Sequence, residues 1–210
     1  MKTKYLPSIL FIFLLIFSCK KEQIKPDNIY KFKEYISYTT SGIISTSGTI
    51  GANFAKDIEG WQADQEISSD VISIKPYVEG KMKTLNKHAF IFTPDENLDA
   101  DTEYTVTINL RGIYKNIPQE YKKYTFQFKT ITPNFNIQTN TLQSYSGAYQ
   151  YIEGVVKSAD IISLNNAKKL IKASQNGTQK NFVWNESFDK AKVFEFKIDS
   201  IQRFEDDSKL

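Results

Sequence analysis

Tyr104-Thr105-Val106-Thr107-Ile108-Asn109-Leu110 decides the fold class. Every second residue is apolar, so Tyr104, Val106, Ile108 and Leu110 share one face of an extended chain and the threonines take the other. Side chains alternate across a strand, and β-branched and aromatic residues suit its pleated surface. The same pattern returns downstream in Tyr124-Thr125-Phe126-Gln127-Phe128-Lys129-Thr130. Upstream it appears in Thr49-Ile50-Gly51-Ala52-Asn53-Phe54, where Ile50, Ala52 and Phe54 share a face. Val71 to Lys75 is a short apolar strand stopped by Pro76, and His88 to Pro94 places Phe90 and Phe92 together. Period-two runs at this spacing, parted by turn residues, indicate an antiparallel sandwich. No helix-length periodic segment interrupts residues 35–132, so residues 34–132 are expected to form one all-β domain.

The loop between Pro94 and Tyr104 has two readings. Pro94 ends a strand by removing a ladder donor; Leu98 then drops into the core, and Thr102 and Tyr104 open the next strand. Asp95, Asn97, Asp99 and Asp101 also alternate as in a calcium loop. Ala100, however, stands where the sharp turn wants glycine, and Val106 where the bidentate Glu belongs. A solvated turn is the expectation.

Residues 133–147 read as a polar linker, and 148–210 as a second, incomplete β-rich unit with one short helix. Tyr149 to Val156 is a strand. Asp160 is placed to cap a helix whose apolar side is Leu164, Ala167, Leu170 and Ile171, and Asn176-Gly177 would stop it. Phe182-Val183-Trp184 and Val193 to Ile198 supply two more strands. So few strands cannot bury both inner faces of a sandwich. The unit is either cut short or a small α+β appendage packed on the first domain.

The N-terminus carries an address. Lys2 and Lys4 precede an apolar run from Leu6 to Phe17, too short for the roughly 20 residues of a membrane span and matching the core of a secretory signal. It ends in Ile16-Phe17-Ser18-Cys19, which resembles a lipobox: a signal peptidase would cleave between Ser18 and Cys19, and the Cys19 thiol would carry the lipid. Cys19 is the only cysteine, so no internal disulfide framework exists. Residues 1–18 are therefore read as a lipoprotein signal peptide and 19–33 as a tether. Lys20, rather than Asp, follows the cysteine. That favours an outer-membrane lipoprotein, on the periplasmic side or at the cell surface.

Composition narrows the function. Without Lys2 and Lys4 the chain has 25 basic and 24 acidic residues, a balance that asks for no nucleic acid. His88 is the only histidine and reads as a rim residue. With one histidine and a lipid-bound cysteine, neither a thiol nucleophile nor a His/Cys metal site assembles. No catalytic residue, metal site or cofactor is expected, and the chain is not expected to be an enzyme. Trp61, with Tyr77 not far along the chain, could stack sugars; covering an open end of the sandwich is the expected role. Asn176-Gly177-Thr178 and Asn185-Glu186-Ser187 match glycan acceptor patterns, with no further reason here to assign them.

Several stretches resemble the N-terminal region of bacterial alpha-2-macroglobulin-like lipoproteins, which opens with an Ig-like domain. They are Ile74-Lys75-Pro76-Tyr77-Val78-Glu79-Gly80; Phe92-Thr93-Pro94 with Leu98 and Asp101-Thr102-Glu103-Tyr104-Thr105-Val106; and Phe126 to Thr130 with Pro133 and Phe135. Gly154 to Asp160, Val183-Trp184 and Phe196 to Arg203 resemble the start of the next, macroglobulin-type domain. The resemblance spans residues 35–205. It implies an Ig-like sandwich followed by a partial macroglobulin-like domain, forming the membrane-anchored, non-catalytic N-terminal module of a protease-trapping lipoprotein. Its partners would be the membrane, through the lipid, and further macroglobulin-like domains; target proteases would be met only through domains outside this sequence. The alternative is a self-contained Ig-like adhesin or glycan-binding surface lipoprotein.

Overall fold

The computed structural model describes residues 25–204. Ser18, Cys19 and the rest of the expected signal peptide lie outside the described residues.

The alternating runs fold as strands and pair as two sheets. The first unit contains β1 (Ile36–Thr39), β2 (Ile43–Ile44), β3 (Ile50–Phe54), β4 (Ile72–Lys75), β5 (Gly80–Asn86), β6 (Ala89–Pro94), β7 (Glu103–Asn109) and β8 (Lys123–Thr130). One sheet has the order β1-β3-β6-β5 and the other β2-β8-β7-β4. All pairs are antiparallel except β2 with β8. With β1, β3, β6 and β5 taken as A, B, E and D, and β4, β7 and β8 as C, F and G, this is the immunoglobulin arrangement.

The inward faces meet as the alternation requires. Tyr104, Val106 and Ile108 on β7 stand opposite Phe128, Phe126 and Tyr124 on β8, and all six are buried. From the other sheet, Ile50 and Ala52 face Phe92 and Phe90. The Tyr104 and Phe128 rings stack with centroids 5.3 Å apart. The Tyr104 hydroxyl also accepts the Asp99 N–H at 3.0 Å. A tyrosine at the start of strand F tied back to the preceding turn is the tyrosine corner of immunoglobulin sandwiches.

Residues before the expected tether boundary at residue 33 pack on the first unit. Asp27 exchanges hydrogen bonds with the main chain of Thr125, and Phe32 is fully buried against the Tyr121 and Tyr124 rings. An aromatic side chain placed over an open sandwich end outweighs the polar composition around it.

Residues 133–147, expected as a linker, carry β9 (Phe135–Thr139) and β10 (Gln143–Ser144). Both pair with one edge of the long strand β11 (Tyr149–Ser163). Their composition is polar because these strands lie at a sheet edge and are exposed throughout. After β11 come α1 (Leu164–Leu170), β12 (Ala173–Gln175), β13 (Thr178–Lys180), β14 (Phe182–Trp184) and β15 (Lys190–Gln202). β15 pairs along β11 and carries β14 on its far side. Val156, Phe194, Phe196 and Ile198 point to one face, where Leu164, Ala167 and Ile171 cover them. The whole is mainly β, with α1 the one α-helix among the described residues.

Two local expectations change here. Asp160 does not cap the helix: it lies in β11, and Ser163 is the cap, its hydroxyl accepting the Asn166 N–H at 3.2 Å. Asn176-Gly177 does not end the helix, which stops at Leu170. It turns the β12–β13 hairpin with φ of 49° and 82°, the two positive values a tight two-residue hairpin turn demands.

Candidate functional site at the junction of the two units

The turn between β2 and β3 and the turn between β6 and β7 lie at the same end of the sandwich, held together when Leu98 donates its N–H to the Thr46 carbonyl at 2.8 Å. Leu98 is buried, as the spacing predicts. The chain leaves β8 at this end, and Asp101 N–H bonds the Ile131 carbonyl at 3.1 Å. The second unit docks here through β11. Asp160 Oδ2 accepts the Thr46 N–H at 2.7 Å and the Thr46 hydroxyl at 2.8 Å, while Oδ1 accepts the Ile161 N–H. Ala159 N–H reaches the Asn134 carbonyl at 2.9 Å.

Asp160 is 8% exposed. Burial pushes its pKa up, but the Ser45 hydroxyl, both Thr46 donors and the Ile161 N–H outweigh it, holding the carboxyl below the ordinary aspartate value. A buried carboxylate supplied with this many donors stays ionised and fixes geometry. Nothing in the local sequence points to Thr46 as its partner. The usable signal is an acidic residue in the second half of an apolar-polar strand pattern, where a charge needs partners from elsewhere.

Beside this clamp lies an apolar cleft of about 450 Å³, walled by Ile131, Pro133, Phe135, Ile162 and Leu170 with Asp160 at its edge. A second depression, about 570 Å³, lies on the outer face of the second unit's sheet. Gln138, Glu153, Val155, Asn185, Glu195 and Lys197 line it. Asn185 Nδ2 donates to Glu195 Oε2 at 3.0 Å. Lys197 reaches Asp199 at 3.1 Å and lies 4.2 Å from the Tyr151 ring centroid; the hydrogen bond to Asp199 raises its pKa. This shallow face offers hydrogen-bond donors, acceptors and both signs of charge, as recognition of a hydroxylated or polar ligand requires.

The residues singled out in sequence fall elsewhere. Trp61 is half-buried and packs edge-to-face on Phe54 at 5.5 Å, covering the sandwich end. Tyr77 is 84% exposed and precedes β5, whereas Trp61 lies beside Lys87, just past the other end of that strand; the two do not form one platform. His88 sits in the β5–β6 turn, its Nδ1 3.2 Å from Asp57. In the alternating acidic loop, Asp101 turns to Lys129 at 2.6 Å and to the Thr132 hydroxyl. Those two hydrogen bonds and the lysine charge lower its pKa.

Residues 31–130 match the family model described as a bacterial Ig-like domain. Comparison with the curated proteins and with the solved structures gives no match.

Proposed function

We propose that this chain, whose residues 31–130 are a bacterial Ig-like domain, is the membrane-anchored N-terminal module of an alpha-2-macroglobulin-like protease-trapping lipoprotein. It is non-catalytic and acts as a spacer, lipidated on Cys19 at the outer membrane, that holds the following domains at a set orientation. The observation carrying this reading is the Asp160–Thr46 clamp. A spacer must transmit position between units, and a buried ionic hydrogen-bond cluster at the joint does that better than a flexible linker. The lipobox-like Ile16-Phe17-Ser18-Cys19 supports the anchor.

A second reading, an Ig-like adhesin or glycan-binding lipoprotein, has in its favour the polar depression around Glu153, Glu195 and Lys197.

One experiment separates them. The native protein is captured from its host with antibody to the Ig-like unit after labelling with an alkyne fatty acid. The spacer reading expects a Cys19-dependent label on a polypeptide far longer than 210 residues, whose native-gel mobility shifts after exposure to a protease. A labelled species of this length, indifferent to protease and retained on immobilised glycans, would favour the second reading. No label on Cys19 would remove the anchor from both.

A further inference from the structure

The second unit's sheet exposes an edge, β9, that differs from the other edge strands among the described residues. Strands at sheet edges normally carry a guard, because their unpaired N–H and C=O groups template pairing with another chain. Among the described residues, β1 is bulged between Ile36 and Tyr38. β2 and β10 have two residues, and β12, β13 and β14 have three. β4 closes on Lys75 and Pro76. β5 carries Lys81 and Lys83 and is bridged by Glu66. β9, Phe135-Asn136-Ile137-Gln138-Thr139, has five residues, no charge, no proline and no bulge against β11.

Its register shows which groups face outward. Asn140 N–H bonds the Glu153 carbonyl and Ala159 N–H bonds the Asn134 carbonyl, so residues 134, 136, 138 and 140 direct their main-chain groups at β11. Phe135, Ile137 and Thr139 direct theirs away from it. The Phe135 N–H is already taken by Asn134 Oδ1 at 2.8 Å. The Ile137 N–H and carbonyl, the Thr139 N–H and the Phe135 carbonyl stay available. The Phe135 and Ile137 side chains are 42% and 44% exposed.

We propose that β9 pairs antiparallel with β9 of a second copy of this chain, about a two-fold axis at Ile137. The register is self-complementary. Ile137 meets its symmetry mate and exchanges two hydrogen bonds with it, and each Thr139 N–H reaches the partner's Phe135 carbonyl. Asn136 stands opposite the partner's Gln138, and no charge meets a like charge across the axis. The Asn134 cap on Phe135 is kept, so the ladder forms without breaking an existing bond. The sheets of the two second units become one continuous sheet, with the outward Ile137 groups, the Thr139 N–H and the Phe135 carbonyl satisfied.

The test is sedimentation velocity on the chain from residue 19 with Cys19→Ser, from micromolar to millimolar concentration, alongside amide hydrogen exchange. The expected result is a reversible monomer–dimer equilibrium in which the Ile137 and Thr139 amides exchange more slowly as concentration rises. Of the main-chain donors, Ile137→Pro removes only an outward N–H, which an edge strand tolerates, and the side chain that it replaces is 44% exposed. It should weaken association by about tenfold or more, since two symmetry-related hydrogen bonds are lost. Ile137→Lys, which sets like charges across the axis, should do the same, and Ile161→Lys on β11 should not. A chain that stays monomeric throughout, or a dimer whose association is unchanged in folded Ile137→Pro and Ile137→Lys variants, would overturn the proposal.

Discussion

The carboxylate of Asp160 accepts both the main-chain N–H and the hydroxyl of Thr46, 114 positions earlier in the chain, at 2.7 and 2.8 Å. This pair joins a strand of the second unit to a turn of the first.

Removing one partner should therefore cost more than a surface contact. Asp160→Ala leaves the part-buried donors of Thr46 without their acceptor and should destabilise by about 1–3 kcal/mol. In a double-mutant cycle with Thr46→Val, which exchanges the hydroxyl for a methyl and keeps the main-chain N–H donor, the coupling should be about 1.5 kcal/mol. Urea denaturation of the four proteins measures it.

The same pair sets a pH dependence. Burial alone would raise the Asp160 pKa, but the donors of Ser45, Thr46 and Ile161 leave it lowered. A carboxyl with a lowered folded-state pKa contributes its full stability above the unfolded value of about 4 and loses it as pH falls through the folded value. The stability difference between the wild-type chain and Asp160→Asn should be constant near neutrality. It should shrink only below the ordinary aspartate range. Denaturation midpoints measured from neutral pH to below that range test this.

Tyr104→Phe isolates the corner hydrogen bond. The ring stays stacked on Phe128, and only the acceptor for the Asp99 N–H is lost. A loss of about 1 kcal/mol is expected, seen as a lower denaturation midpoint with an unchanged slope.

Gly154 is required by its neighbours. A Cβ there would lie 2.6 Å from the Phe196 ring and 2.7 Å from the Gln138 carbonyl, so both β15 and β9 would have to move. Gly154→Val should destabilise by about 1–3 kcal/mol. Calorimetry of the variant checks this, with Gly147→Ala, whose added Cβ meets nothing, as the control.

Much of the sandwich was legible because its core strands alternate with strongly apolar inward residues. β3, β6, β7 and β8 all do so. β5 was not, because its inward Met82 and Thr84 are weakly apolar and lie between lysines. β9 and β10 were not, because an edge strand with neither face buried needs no periodicity. Asn176-Gly177 is a strong hairpin signal that the neighbouring helix pattern drew to the wrong element. The Asp160–Thr46 pair was not legible, since a long-range hydrogen bond leaves no local period. Its chemistry shows only once β11 is seen to end beside the turn that holds Thr46.

The distance between the two units tests the spacer most directly. Nitroxide labels at Lys81→Cys and Lys190→Cys, on a chain with Cys19→Ser, report it by pulsed electron resonance. The account predicts one narrow distance distribution at neutral pH that broadens in Asp160→Ala. A broad distribution in the labelled protein with Asp160 intact would contradict it.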